Sequence, residues 1–291
     1  MHKQLTMKRA STIIQLSDHL KKMHLSPTGF VPTMGALHNG HISLINAAVS
    51  SCPIIVLSIF VNPTQFNDKN DFKNYPRDID KDLELLGKVM RENDLVFIPE
   101  IHEIYPEKDK RVFSFGNLDK VMEGQYRPGH FNGVAQVVSR LLDIVKPDVA
   151  FFGQKDFQQL TIIKELVRQT GNKVKITGCP IVRESDGLAM SSRNQLLEPD
   201  IRAKSGIIFR TISEAAKMVA NNEIIVIKEF VKNKINATAG FTIEYFEIVD
   251  DTELIPLKSK NEVITGKKYF GCIAVKAGKV RLIDNIEIPL L

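Results

Sequence analysis

The sequence predicts an α/β chain: a Rossmann-like, doubly wound parallel sheet followed by a smaller C-terminal α+β domain. Three observations carry this. From residue 11 to about 182, apolar runs of strand length alternate with segments of helical period. The runs are nearly continuous in apolar residues, as strands buried on both faces are. After about Asp186 the order changes to helices followed by strands, which suits a separate α+β domain. The expected division is therefore 1–186 and 187–291.

The first expected strand is GFVPTM (29–34), and the second lies in CPIIVLSIFV (52–61). DLVFIP (94–99), DVAFFG (148–153) and KVKITGCPIV (173–182) follow, each bounded by Pro, Gly or Asp. Between them, Val134, Val137, Val138, Leu141, Leu142 and Val145 share one helical face. Leu160, Ile163, Leu166 and Val167 share another, with Gly171 placed to end that helix. In the C-terminal part, 198–220 and 224–235 read as helices. FTIEYFEIVD (241–250), KYFGCIAVKAG (268–278) and KVRLIDNIEI (279–288) read as strands with turn-like connections. There is no internal repeat and no low-complexity tract.

Composition narrows the class. The 291 residues, 43% hydrophobic, are enough for one or two globular domains. The 39 basic against 34 acidic side chains give a formal +5, spread along the chain. That suits a small anionic substrate and is too mild to argue for nucleic acid. Three widely separated cysteines form no CxxC pair, so buried free thiols in a reducing cytosol are expected. No apolar stretch reaches the roughly 18 residues that span a bilayer. MHKQLTMKRASTIIQL lacks the apolar core of a secretion signal, so a soluble, cytoplasmic protein is expected.

Ligands of doubly wound sheets bind beyond the carboxyl ends of the strands. TMGALHNGHISLINAAV (33–49) is such a strand end. Ile42, Ile45, Ala48 and Val49 set a helical stripe that starts near Gly40. His41 then lies in the first turn and His38 just before it. A helix N-terminus offers unpaired N–H groups and partial positive charge, which favour phosphate. Two imidazole donors there could hold a triphosphate, and Gly35 and Gly40 would let the backbone approach it. The same HxxH also describes surface or core histidines, or half of a metal site that no nearby Cys or carboxylate completes.

Four other stretches carry polar groups. SIFVNPTQF brings Asn62 and Gln65, amides suited to hydroxyl and carboxylate groups, although Asn-Pro also simply starts turns. EGQYRPGHFNGV brings Glu123, Arg127 and His130 and reads alone as a polar loop. FFGQKDFQQL leaves a strand with Lys155, Asp156 and Gln159 at the next helix start. Asp156 there could cap the helix or bond a ribose hydroxyl. RESDGLAMSSRN offers Ser191, Ser192 and Arg193 as an anion clamp or as a solvated linker.

Together, and in this order, PTMGALHNGH, SIFVNPTQF, YPR, GHFNGV, FFGQKDFQQL and VRESDGLAMSSRN resemble the pantothenate synthetases (pantoate–β-alanine ligases) over nearly the whole chain. The HxGH and MSSRN elements are also similar to the signature pair of class I aminoacyl-tRNA synthetases and related nucleotidyltransferases. The resemblance implies ATP-dependent ligation of (R)-pantoate and β-alanine through a pantoyl adenylate. It implies Mg²⁺ with ATP, a homodimer, a lid formed by 187–291, and neither nucleic-acid nor membrane partners. His38, His41, Lys155 and Arg193 take the catalytic positions. Met34, Gly35, Ala36, Leu37, Asn39 and Gly40 complete the nucleotide loop, with Gly153, Gln154, Asp156, Val182, Met190, Ser191 and Ser192 also on ATP. Gln65, Gln159 and Asn62 fall on pantoate or β-alanine, and no protein metal ligand is implied. In YPRDIDKDLELL, Lys81 stands where some members carry an acid, while Asp82 remains.

Two rivals make different demands. Another HxGH adenylyltransferase acting on a phosphorylated cofactor precursor needs a second cationic pocket, where this chain has Asn62, Gln65 and Gln159. A nucleic-acid module needs a basic stripe with interleaved aromatics, and the chain has no Trp and intermixed charges.

Overall fold

The computed structural model describes residues 7–66 and 69–290. The chain forms two compact units. The first takes the chain up to Phe115, then Arg127–Gln154 and Ile162–Pro180; the second takes Gly116–Tyr126, Lys155–Thr161 and Ile181–Leu291.

The strands of the first unit are β1 (Lys8–Ala10), β2 (Thr28–Thr33), β3 (Ile54–Ile59), β4 (Leu95–Phe97), β5 (Val149–Gly153) and β6 (Lys175–Cys179). Its helices are α1 (Ile13–Met23), α2 (Asn39–Ser51), α3 (Lys69–Asn74), α4 (Ile79–Leu86), α5 (Ile101–Ile104) and, after the brief α6 (Glu123–Tyr126) of the second unit, α7 (His130–Val145). α8 (Phe157–Thr170) follows β5, and Gly171 at φ +65° ends it, as its sequence predicts. The sheet order is β1-β4-β3-β2-β5-β6 and every pairing is parallel.

Alternation along the strands assigns the faces. Val31, Ile55, Leu57, Val96 and Phe151 join Leu44, Ile45 and Ala48 of α2 and Leu83 and Leu86 of α4 in one buried cluster. α7, whose buried residues lie outside that cluster, packs on β2 from the other side. Both faces are thus covered, which is why these strands read as unbroken apolar runs.

The strand order reverses between β2 and β5. β2 pairs with β3 along six positions, but with β5 only at Gly29–Val149 and Phe30–Ala150. Beyond Phe30 the two strands part. This is the topological switch point of the sheet, where such folds bind ligands.

In the second unit, α9 (Pro199–Lys204), α10 (Ile207–Met218) and α11 (Ile224–Asn236) precede an antiparallel sheet of β7 (Phe241–Asp250), β8 (Tyr269–Ala277) and β9 (Val280–Ile288). Ile224, Ile227, Val231 and Ile235 form the stripe by which α11 joins the buried cluster of this sheet. The single helix expected over 198–220 is two. Gly206 sits at the break, where a Cβ would come 2.5 Å from the Asp186 carbonyl oxygen. The three cysteines are buried and unbridged. Among the described residues no helix is long and apolar enough to cross a membrane.

Candidate active site

In the first unit, two strand exits carry the predicted groups. At the β2 exit, Gly35 (φ +78°) and Ala36 (φ +50°) turn the chain left-handed before α2. A Cβ on Gly35 would lie 2.9 Å from Asp82 Oδ2, so glycine is required there for space as well as for its dihedral. The turn is tied at both ends. Gly35 N–H donates to Thr33 Oγ1 (3.2 Å), and Thr33 Oγ1 donates to the Ser58 carbonyl (2.7 Å). Ala36 N–H and Leu37 N–H donate to Asp82 Oδ2 (2.9 Å) and Oδ1 (2.7 Å).

His38 is the N-cap of α2, and His41 lies in the first turn, as the sequence predicts. Gly40 N–H donates to His38 Nδ1 (3.1 Å) and His38 N–H to His41 Nδ1 (3.3 Å); the ring centres are 4.1 Å apart. An imidazole nitrogen that accepts carries no proton. Each neutral ring therefore holds its proton on Nε2, and the cap fixes the tautomer.

The β3 exit is built mainly from amide, hydroxyl and carbonyl groups. Asn62 is the N-cap of the 3₁₀ turn Pro63–Gln65 and is 1% exposed. Its Nδ2 donates to Gln65 Oε1 (3.2 Å) and the Gly133 carbonyl (3.1 Å). Its Oδ1 accepts from Thr64 N–H, Thr64 Oγ1 and Tyr105 OH. Gln65 Nε2 reaches Met34 Sδ at 3.0 Å, joining the two exits. His130 Nδ1 lies 2.7 Å from the Gln65 carbonyl and its Nε2 3.1 Å from Arg127 Nη1. A carbonyl can only accept, so Nδ1 carries the proton and Nε2 accepts from the guanidinium. α7 approaches through Gly133, where a Cβ would be 2.3 Å from the Thr64 carbonyl oxygen.

Gly153 and Gln154 complete this unit's share of the predicted groups, at the carboxyl end of β5. The chain enters the second unit at Lys155. There Lys155 Nζ lies 3.6 Å from Asp156, and the Lys155 carbonyl accepts from Asn285 Nδ2 of β9 (3.0 Å). Beside Asn285, Asp284 holds Arg183 through two bonds (2.6 and 3.0 Å), and Phe209 stacks under that guanidinium. Residues 182–190 form a tight hairpin: Met190 N–H donates to the Val182 carbonyl (3.0 Å), and Gly187 at φ +93° makes the turn. Ser191 caps the 3₁₀ helix Ser192–Leu196 by accepting from Arg193 N–H. Gln159 is half-buried on α8. Its neighbour Gln158 is buried and bonds the carbonyls of Leu118 and Val121.

A family model described as pantoate-beta-alanine ligase matches residues 6–287. The chain belongs to the pantoate–β-alanine ligase family. It is 49% identical to the pantothenate synthetase of Phocaeicola vulgatus over 97% of this chain and 99% of that one. It is 50% identical to that of Azobacteroides pseudotrichonymphae over 94% and 98%. Among solved structures, the pantothenate synthetase of Thermus thermophilus is similar with a TM-score of 0.88 at 38% identity, covering 97% and 99% of the two chains. A Francisella tularensis pantoate-beta-alanine ligase, complexed with beta-gamma ATP and beta-alanine, is similar with a TM-score of 0.73 at 33% identity, covering 97% of each chain.

Within this ligase fold, the first unit brings His38 to His41 and Met34 and Asn62 to Gln65. The second brings Val182 to Met190, Lys155 to Asp156 and Ser191 to Arg193. Sequence reasoning missed the holding groups, Asp82 and Asn285. Asp82 did carry a signal: with Ile79, Leu83 and Leu86 it lies on the apolar stripe of α4, where a carboxylate is out of place without a partner. Asn285, in the middle of a strand, carries no such mark.

Proposed function

We propose that this chain joins (R)-pantoate to β-alanine with ATP, giving pantothenate, AMP and diphosphate through a pantoyl adenylate. The observation that carries the reading is the histidine pair at the N-terminus of α2, with both Nδ1 atoms taking backbone N–H groups, at the end of the strand where the sheet reverses. The complex formed by the Francisella relative supports ATP and β-alanine as ligands here.

A carboxylate is a poor acyl donor because oxide would have to leave. In the first step a pantoate carboxylate oxygen bonds the α-phosphorus and the bond to diphosphate breaks. In the second the β-alanine amine bonds the acyl carbon, AMP leaves and the amine gives up a proton. The protein's part is to offset negative charge as it grows, align reactants and exclude water.

On this proposal His38 and His41 donate from Nε2 to the phosphates, assisted by the partial positive charge of the α2 N-terminus. Lys155 neutralises phosphate charge, and Ser191, Ser192 and Arg193 close over it. Met34, Val182 and Met190 frame adenine beside the backbone of Gly35–Gly40, with Gly153, Gln154 and Asp156 toward the ribose. Gln65 and Gln159 take pantoate. Asn62, whose amide is committed to five protein partners, acts by holding Gln65.

Among the described residues no group of three His, Cys, Asp or Glu side chains could enclose an ion. Mg²⁺ would come with ATP, held mainly by the triphosphate and water, where it would neutralise phosphate charge. The cytoplasmic location, the homodimer, the 186/187 division and the lid role of 187–291 belong to the same proposal.

The test is diphosphate release from ATP and pantoate, with and without β-alanine. Pantoate alone should release about one enzyme-equivalent by the adenylate logic, and sustained turnover should need β-alanine. Label from the pantoate carboxylate oxygen must appear in AMP; its absence would sink the adenylate route.

A further inference from the structure

We propose that Asp82 is a positioning residue for this reaction: a buried carboxylate that grips the Ala36 and Leu37 N–H groups and thereby sets His38 and His41. The proposal rests on the functional reading above only for the consequence in catalysis.

Its basis is geometric. A turn that points neighbouring N–H groups the same way makes a nest for an anion. After the left-handed residues Gly35 and Ala36, the Ala36 and Leu37 N–H groups converge on the Asp82 carboxylate, one oxygen to each at 2.9 and 2.7 Å. Ala36 adopts a conformation an alanine resists, so something must hold it there. One residue after Leu37 comes His38, the helix cap. An error in the nest passes directly into both imidazoles.

The carboxylate is fixed in its turn. Asp82 is 4% exposed and projects from the apolar stripe of α4, beside Leu83 and Leu86. Asp82 and Gly35 also line a cavity of ≈ 620 Å³, whose ionisable walls include Arg77, Asp78, Glu100 and His102. Burial pushes the Asp82 carboxyl above its ordinary range; the Leu37 and Ala36 N–H groups pull it down, and Asp78 pushes it up again. The two N–H bonds favour the charged carboxylate, while burial, the larger cause, favours the neutral acid; the form with both oxygens free to accept is the one present above that raised pKa.

The variant is Asp82→Asn, which keeps the shape but puts a donor against one of two N–H donors. Hydrogen exchange at Ala36 and Leu37 should speed at least about tenfold, while Phe30 and Ile55 in β2 and β3 stay protected. Turnover at saturating substrate should fall on the order of 10²-fold, as for a misplaced catalytic group, with ATP affinity changed far less. Excess Mg²⁺ should not restore it. Adding Ala36→Gly, which removes the resistance to the left-handed turn, should recover part of the loss. Unchanged exchange with unchanged turnover would overturn the proposal, and so would rescue by Mg²⁺, which marks a metal ligand. If Asp82→Asn does not fold, wild-type exchange at Ala36 and Leu37 decides. There Ala36 and Leu37 must exchange as slowly as Phe30 and Ile55, and fast exchange at both refutes the grip. If the wild type makes no pantoate-dependent AMP, the functional reading fails, while the exchange measurements still judge the nest.

Discussion

The exits of β2 and β3 lie side by side in one sheet and are held in opposite ways. The β2 exit is tied by Thr33 at its near end and by one charged side chain, Asp82, which reaches the left-handed turn from 45 and 46 residues away in sequence. The β3 exit is a web of neutral groups, in which Asn62, Thr64, Tyr105, Gln65 and the Gly133 carbonyl share the bonds. A charged grip sets position firmly but depends on one protonation state. A web of amides and hydroxyls tolerates the loss of one bond. On the proposed function the first exit faces phosphates, whose charge must be met at a fixed point. The second faces hydroxyl and carboxylate groups that amides can meet.

The sharpest way to break this comparison is at the β2 exit itself. His41→Ala removes a donor and should lower turnover roughly 10²–10³-fold, the cost of one transition-state donor. Stability should change little, by about 1 kcal/mol, the usual cost of a lost cap bond such as that from His38 N–H. Thermal melting beside AMP formation separates the two effects. A variant that melts normally and turns over normally removes His41 from the chemistry.

Gly133→Ala acts at the other exit. The added Cβ would meet backbone, 2.3 Å from the Thr64 carbonyl oxygen and 2.8 Å from Gln65 Cα, so the 3₁₀ turn must move. We expect a loss of roughly 1–3 kcal/mol, typical of overpacking. The pantoate KM should rise about tenfold, the scale set by roughly 1.4 kcal/mol of lost binding. ATP affinity by calorimetry should stay near the wild-type value. Parallel losses for ATP and pantoate would show that the exits are one mechanical unit, not two.

How much of this was legible follows from where each instruction resides. The strands from β2 to β6 were legible because burial on both faces forces apolar runs. β1 was not: its three residues, Lys-Arg-Ala, expose two charged side chains at the sheet edge beside β4. The break between α9 and α10 was missed because the apolar period runs on through Gly206, and the Asp186 carbonyl that leaves no room for a Cβ there is distant in sequence. The histidines could be placed because a strand end and a helical stripe bracket them. Asp82 is marked only as a carboxylate on an apolar stripe; its role is not, since its partners are backbone N–H groups that converge only once Gly35 and Ala36 have turned.

The smallest expected effect tests the redundancy of the neutral web. Tyr105→Phe deletes the hydroxyl that donates to Asn62 Oδ1 at 3.0 Å. Were that the oxygen's only partner, a buried acceptor would be left bare at a cost of about 1–3 kcal/mol. Asn62 Oδ1 keeps Thr64 N–H at 3.3 Å and Thr64 Oγ1 at 3.1 Å, so the loss should be nearer 0.5–1 kcal/mol, roughly the net worth of one ordinary bond. The ring stays, and with it the packing against Phe60 and the Arg140 guanidinium. Pantoate kinetics should therefore remain within about twofold of wild type, a shift of less than half a kcal/mol. pH adds a second handle. Burial pushes the Tyr105 phenol above its ordinary value of 10.0, so its proton stays on through neutral and mildly alkaline solution. The pantoate KM should then be flat on the alkaline side in wild type and in Tyr105→Phe alike. Denaturant melts and pantoate kinetics at neutral and alkaline pH check both points. An alkaline limb present in wild type and absent in Tyr105→Phe would mean that this exit, too, depends on a single titrating group.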